Sequence, residues 1–160
     1  MVILRIWSPL SSKENVTGYA SIFLRHPQGS AYMSLRAVRV KENGKEIVRS
    51  ATLADDIEAA GTETSLVWKF TRLNEPRMLR IWEQYQTTTT LEMREVAEAK
   101  KKCFSFCDWV LAAGRGYEVE SPSAAPLKKR AEGALLMATI ANTHGALANR
   151  ADQYMKFERW

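Results

Sequence analysis

Residues 100–114 read KKKCFSFCDWVLAAG, in which a lysine run precedes an apolar segment that ends at Gly114. Apolar residues recur at helical spacing after Cys103, and glycine commonly follows a helix, so we predict a helix that Cys103 opens. The helix dipole and neighbouring lysines would favour the thiolate, which is the nucleophilic form. Cys103 is therefore the candidate nucleophile, although buried, inert cysteines are common. Cys107, one turn further on, is expected to be a small core residue.

The chain up to residue 73 carries β signals, and the chain from residue 74 carries helical ones. The predicted strands are 2–7, 20–25, 31–40, 45–48 and 65–73, with Asn43-Gly44 as a hairpin turn. Asn74 and Pro76 suit a helix start, residues 87–90 a helix end, and residues 127–154 a long helix weakened near 142–145. We predict an α+β fold, in which the Cys103 helix packs on one face of an antiparallel sheet of four to six strands.

Composition limits the classes of protein that the chain can represent. Its 160 residues suit one domain spanning 1–160, and no apolar run approaches the length needed to span a membrane. The net charge is +5, yet no nucleic-acid-binding motif accompanies the excess of basic residues. A solvated basic surface is the simpler interpretation, and a basic interaction protein is the alternative.

The cysteines and the first residues bear on cofactors and localisation. With only His26 and His144 beside the two cysteines, a four-ligand zinc site is not expected, and we predict no metal and no cofactor. Both cysteines are expected to be reduced, which suits a cytoplasmic protein. The short apolar start, residues 1–7, lacks the pattern of a signal peptide, so export without a cleaved signal is the other possibility.

Four segments together resemble a known superfamily. The pattern Cys103-x-x-Phe106-x-x-x-x-Leu111-x-x-Gly114 resembles the nucleophile helix of permuted papain-like proteins, the NlpC/P60 and lecithin:retinol acyltransferase-like group. Gly18-Tyr-Ala-Ser-Ile-Phe-Leu24 resembles the strand that carries the histidine base there, and Tyr32-Met-Ser-Leu35 the strand after it. Residues 73–82 resemble the helix before the nucleophile. The resemblance covers residues 1–115 and implies a permuted papain-like fold.

The resemblance also implies a chemistry: a cysteine hydrolase or acyltransferase acting on amide, peptide or lipid-ester bonds, in bacterial members as an effector or toxin. The position that matches the histidine base is, however, Tyr19. A phenol with a pKa near 10 stays protonated at neutral pH and cannot take the thiol proton. His26, seven residues along the strand, and His144 are the possible replacements. Asp108 could orient a base, but an exposed charge is the simpler interpretation.

Three functions follow from these observations. The first is a degenerate, non-catalytic binding or effector-type domain of papain-like fold, which Tyr19 favours. Its partner protein, or a peptide or acyl ligand, would occupy a cleft near Cys103, with Lys102, Trp109 and Tyr32 as candidate binding residues. The second is an active cysteine hydrolase or acyltransferase. The third is a basic interaction protein unrelated to papain.

Overall fold

The described strands and helices form an α+β fold in a computed structural model that describes residues 1–7, 19–27, 29–61, 66–91, 97–116 and 144–158. The strands are β1 (Val2–Trp7), β2 (Tyr19–His26), β3 (Gly29–Ser34), β4 (Ala37–Glu42), β5 (Lys45–Ser50) and β6 (Leu66–Phe70). The helices are α1 (Leu53–Ala60), α2 (Glu75–Thr88), α3 (Ala97–Gly114) and α4 (His144–Glu158). None of these helices is long and apolar enough to cross a membrane.

A four-stranded antiparallel sheet in the order β3-β2-β1-β6 carries the core. In strand β1, every second side chain points to the same face of the sheet, so Val2, Leu4 and Ile6 lie together on one face. All three are fully buried. In the register of the sheet, Leu4 lies opposite Ile22 on one side and Trp68 on the other. Helix α3 packs against β2, and the buried side of the sheet therefore faces the helix that carries Cys103.

Strands β4 and β5 form a separate two-stranded sheet. Asn43 and Gly44, at φ values of 51° and 76°, make its turn, which confirms the predicted hairpin. The single strand predicted over residues 31–40 is wrong. The chain leaves β3 at Leu35, which is buried, and Arg36, which turns toward α1, so that β3 and β4 belong to different sheets.

The start of α2 agrees with the prediction, whereas α1 is a helix that the sequence interpretation missed. The Asn74 side chain accepts a hydrogen bond from the Arg77 N–H, so it is the predicted N-cap. Helix α1 begins with a capping box between Thr52 and Asp55 and ends at Gly61, which has a φ of 66°.

Helix α3 begins earlier than predicted. Its first residue is Ala97, so Cys103 is the seventh of 18 residues and does not open the helix. At the other end, the Asn74 N–H donates to the Gly114 carbonyl at 2.8 Å and joins the start of α2 to the end of α3. A Cβ on Gly114 would lie 2.7 Å from Met78 Sδ, so the two helices meet where there is no room for a side chain.

Candidate functional site

Cys103 is a core residue of α3. It is 1% exposed, and burial is the main reason that the pKa of its thiol rises to about 11. Hydrogen bonding from the Ala20 backbone, next to Tyr19 on β2, opposes that rise, and the Asp56 charge adds to it. The predicted thiolate-favouring position is therefore wrong, because the helix dipole acts within the first turn and Cys103 lies beyond it. Cys107, predicted to be a small core residue, is fully buried.

Tyr19, which the sequence resemblance matched to a histidine base, lies on β2 within a stack of side chains. Its ring packs on Trp7 with 4.9 Å between centroids, and the Arg36 guanidinium lies 4.9 Å from its centroid. Its hydroxyl donates to the Asp56 carbonyl oxygen. Burial, and then the Asp56 charge, raise the pKa of Tyr19 to about 12. The phenol is thus held protonated and already makes a hydrogen bond within the fold.

Asp56 is the centre of a buried polar cluster. Its carboxylate is fully buried, pairs with Arg36 Nη1 at 2.5 Å and accepts a hydrogen bond from the Tyr32 hydroxyl at 2.5 Å. The Tyr32 hydroxyl also lies 2.9 Å from Ser21 Oγ. Burial raises the pKa of Asp56, and hydrogen bonds from Tyr32, Arg36 and Ser34 oppose that rise. The Asp56 network, as we call it, consists of Tyr19, Ser21, Tyr32, Ser34, Arg36 and Asp56.

The Asp56 network joins β2 and β3 of the large sheet to α1. The Tyr32 hydroxyl and the Arg36 guanidinium donate to the Asp56 carboxylate, and backbone carbonyls of α1 accept from Tyr19 and Arg36. A cluster of this kind fixes the position of a short helix, since each buried donor would lose a hydrogen bond if the helix moved. The sequence interpretation singled out Tyr19 and Tyr32 but missed Asp56 and Arg36, because α1 was not predicted and the Asp56 partners lie 20 or more residues away in the sequence.

The other candidate binding residues have separate surroundings. Trp109 is buried and packs on Phe106, with 6.0 Å between ring centroids, whereas Tyr32 is half-buried in the Asp56 network. Lys102 lies on α3, and its side chain falls outside the described part of the structure. Asp108 was expected to be exposed. It is 3% exposed, and its Oδ1 lies 3.5 Å from Arg150 Nε on α4.

His26 ends β2 and lines a cleft of about 470 Å³ at the end of α3. The residues that line this cleft are His26, Arg72, Leu73, Asn74, Glu75, Pro76, Gly114, Arg115 and Gly116. Neither Cys103 nor Tyr19 is among them. His144, the other possible replacement base, is the first residue of α4, and its side chain lies outside the described residues.

The raised pKa values predict a fold that loses stability at alkaline pH. The Cys103 pKa rises from its ordinary value of 9.0 to about 11, and the Tyr19 pKa from 10.0 to about 12. Between each pair of values the unfolded state binds fewer protons, so the free energy of unfolding falls as pH rises. Cys103 alone contributes a loss on the order of 2 kcal/mol from pH 9 to 11.

Urea denaturation at pH 8 and pH 11, with the wild type and Cys103→Ala side by side, measures this loss. The variant lacks the thiol, so it should lose less stability over the same interval, while the tyrosines still contribute. An equal loss in both proteins would contradict the assignment to Cys103.

Comparisons with family models, with curated proteins and with solved structures find no match for this chain. Among the described residues, no three His, Cys, Asp or Glu side chains are grouped so that they could hold a metal ion.

Proposed function

We propose that the chain is a non-catalytic binding domain of papain-like design, in which the two catalytic positions serve the core. The observation that carries the proposal is the state of those positions. Cys103 is 1% exposed with a pKa near 11, and the Tyr19 hydroxyl bonds to the Asp56 carbonyl. The expected arrangement of a cysteine helix on a strand that carries position 19 also supports it, since α3 packs on β2.

Thiol catalysis places two demands on such a pair. The sulfur must form a thiolate, and a neighbouring group must exchange a proton near neutral pH. A thiol with a pKa of about 11 is ionised in only about one molecule in 10,000 at pH 7. The pKa of Tyr19 is about 12, so at neutral pH the phenol keeps its proton and does not remove the thiol proton. Neither demand is met, which supports a binding role over hydrolysis or acyl transfer.

The proposed role is then that of an effector-type protein acting by contact with a protein partner or with a peptide or acyl ligand. The Asp56 network supports this role, because its buried hydrogen bonds hold α1 in one position on the sheet and a binding domain needs a fixed surface. Helix α1, which the network holds on the sheet, is short, with eight residues, and would be marginal alone.

Alkylation of Cys103 tests the proposal. In a Cys107→Ala background, iodoacetamide at pH 8 should modify Cys103 about 100-fold more slowly than it modifies the same protein unfolded in guanidinium. A rise in pKa from 9.0 to about 11 lowers the thiolate fraction by that factor, and burial lowers the rate further. Intact-protein mass spectrometry over time gives both rates.

The matched control is Cys103→Ala, which leaves Cys107 alone in the folded protein. Cys107 is fully buried and has a raised pKa, so it should also react slowly. A Cys103 that reacts at pH 7 as fast as free cysteine, in a protein with native circular dichroism, would overturn the non-catalytic proposal.

A further inference from the structure

The cleft at the end of α3 is lined in part by basic residues from three separate segments. His26 comes from the end of β2, Arg72 from the connection between β6 and α2, and Arg115 from the residue after α3. Its volume is about 470 Å³ and it is widely open to solvent, so it would contact one end of a ligand and would not enclose the whole molecule. Residues distant in the sequence therefore bring two arginines and a histidine to the lining of one open cleft.

The backbone at the end of the cleft that carries Asn74 and Arg115 is held by hydrogen bonds. The Asn74 N–H donates to the Gly114 carbonyl, and the Arg115 and Gly116 N–H groups donate to Leu111 and Ala113 carbonyls at 3.0 Å each. The Arg115 guanidinium also lies 5.6 Å from the centroid of the Tyr154 ring, a cation–π contact that restricts the side chain. A site held in this way binds at a lower cost in conformational entropy than a loose one.

The charges that line the cleft favour an anion. Glu75 is the one acidic residue among those that line it, and its carboxylate pairs with the Met1 amine. The N-terminus of α2 contributes little to anion binding, because Pro76 has no N–H and the Arg77 N–H already donates to Asn74. Attraction for an anion therefore comes from Arg72 and Arg115, with His26 as a further hydrogen-bond donor.

We propose that this cleft binds the oxyanion group, phosphate or carboxylate, of a small ligand, with Arg72 and Arg115 as the principal contacts. A guanidinium presents parallel N–H donors that match two oxygens of either group. The site is separate from Cys103, so the proposal holds whether or not that thiol reacts. It names a ligand chemistry for a surface that includes neither Cys103 nor Tyr19.

Titration of ¹⁵N-labelled protein with inorganic phosphate, at an ionic strength held constant with sodium chloride, tests the proposal. Saturable shifts are expected in the Gly114, Arg115 and Gly116 amide signals, with a Kd of about 1 mM or tighter. A parallel titration with acetate distinguishes the sources: tighter binding of phosphate assigns a phosphorylated ligand, and tighter binding of acetate a carboxylate. Shifts that also appear with sodium chloride alone would overturn the proposal.

Single substitutions identify the contacts. Arg72→Gln and Arg115→Gln should each weaken phosphate binding by about fivefold or more, since each removes a bidentate partner. Arg72→Gln leaves the Arg115–Tyr154 contact in place, so it tests the site even if Arg115→Gln disturbs the fold. Arg39→Gln, on the exposed Arg39–Glu46 pair of the hairpin, is the control and should leave the Kd unchanged.

Glu75→Gln separates binding from a purely structural role. Removing its negative charge should tighten phosphate binding by about twofold, because one negative charge leaves the lining of the cleft and the Met1 amine is no longer neutralised by it. If the lining residues had only a structural role, Glu75→Gln would not tighten phosphate binding. Affinity unchanged in both arginine variants would show that the shifts arise elsewhere and would end the proposal.

Discussion

Asp56→Asn is expected to lower the free energy of unfolding by about 3 kcal/mol or more, which makes it one of the most damaging single changes in the chain. The substitution keeps the shape of the side chain and removes its charge. Asp56 is fully buried, and its partner Arg36 is only 15% exposed, so the guanidinium would remain in the interior without its counter-charge.

The hydrogen-bond pattern adds to this loss. The Asp56 carboxylate accepts from Arg36 and from the Tyr32 hydroxyl, one bond at each oxygen. An amide has one accepting oxygen, so if that oxygen faces Arg36, the Tyr32 hydroxyl loses its carboxylate acceptor and meets the amide N–H₂ group instead. A buried donor left without an acceptor costs about 1–3 kcal/mol.

Asp55→Asn is the matched control, because it makes the same chemical change one residue earlier in α1. Asp55 pairs with Arg49, which is 34% exposed, and caps the helix through Thr52. The Arg49 pair holds the pKa of Asp55 well below its usual range. Because the pair is partly solvated, we expect a loss of about 1 kcal/mol from this variant.

Urea denaturation followed by tryptophan fluorescence gives both values. Equal losses in the Asp55 and Asp56 variants would show that the Asp56 network contributes no more than a surface pair.

Phe106→Ala should lower the free energy of unfolding by about 3–5 kcal/mol. Phe106 is 1% exposed and lies among aromatic rings of α2 and α3, with centroid distances of 5.7 Å to Trp82 and 4.9 Å to Tyr85. Truncation leaves a cavity between two helices that the fold holds in fixed positions, so relaxation can fill it only in part.

Two further variants calibrate the Phe106 result. Phe106→Leu keeps most of the volume and should cost about 1–2 kcal/mol, whereas Leu66→Ala, at a residue 47% exposed, should stay within about 0.5 kcal/mol. Chemical denaturation at neutral pH measures all three. A loss below 1 kcal/mol for Phe106→Ala would mean that the aromatic cluster does not hold α3 on α2.

Local patterns predicted those elements whose signals are local. A short apolar run identified β1, and the Asn43-Gly44 pair identified the hairpin. The start of α3 was misplaced because apolar spacing marks where a helix touches the core and not where it begins. Its first six residues carry no such pattern. Helix α1 had readable cap signals at Thr52 and Gly61, but at eight residues it is too short for periodicity to show.

The candidate site was less predictable than the fold. Cys103 and Tyr19 were singled out by resemblance, yet their surroundings depend on residues far along the chain. Asp56 forms hydrogen bonds with Arg36, Tyr32 and Tyr19, which lie 20, 24 and 37 residues away from it in the sequence. No short window of sequence contains these pairs, so the burial that raises the Cys103 pKa followed only from tertiary structure.

The contact between Gly114 and Asn74 ties the cleft to the interior. Because Met78 fills the space beside Gly114, a change in the volume of that core side chain alters the spacing of the two helix ends. Arg72 lies two residues before Asn74, Arg115 directly follows Gly114, and all four residues line the cleft. Substitutions in the core can therefore change the width of the cleft without changing its lining residues. Ligand selectivity can then change through substitutions at buried positions.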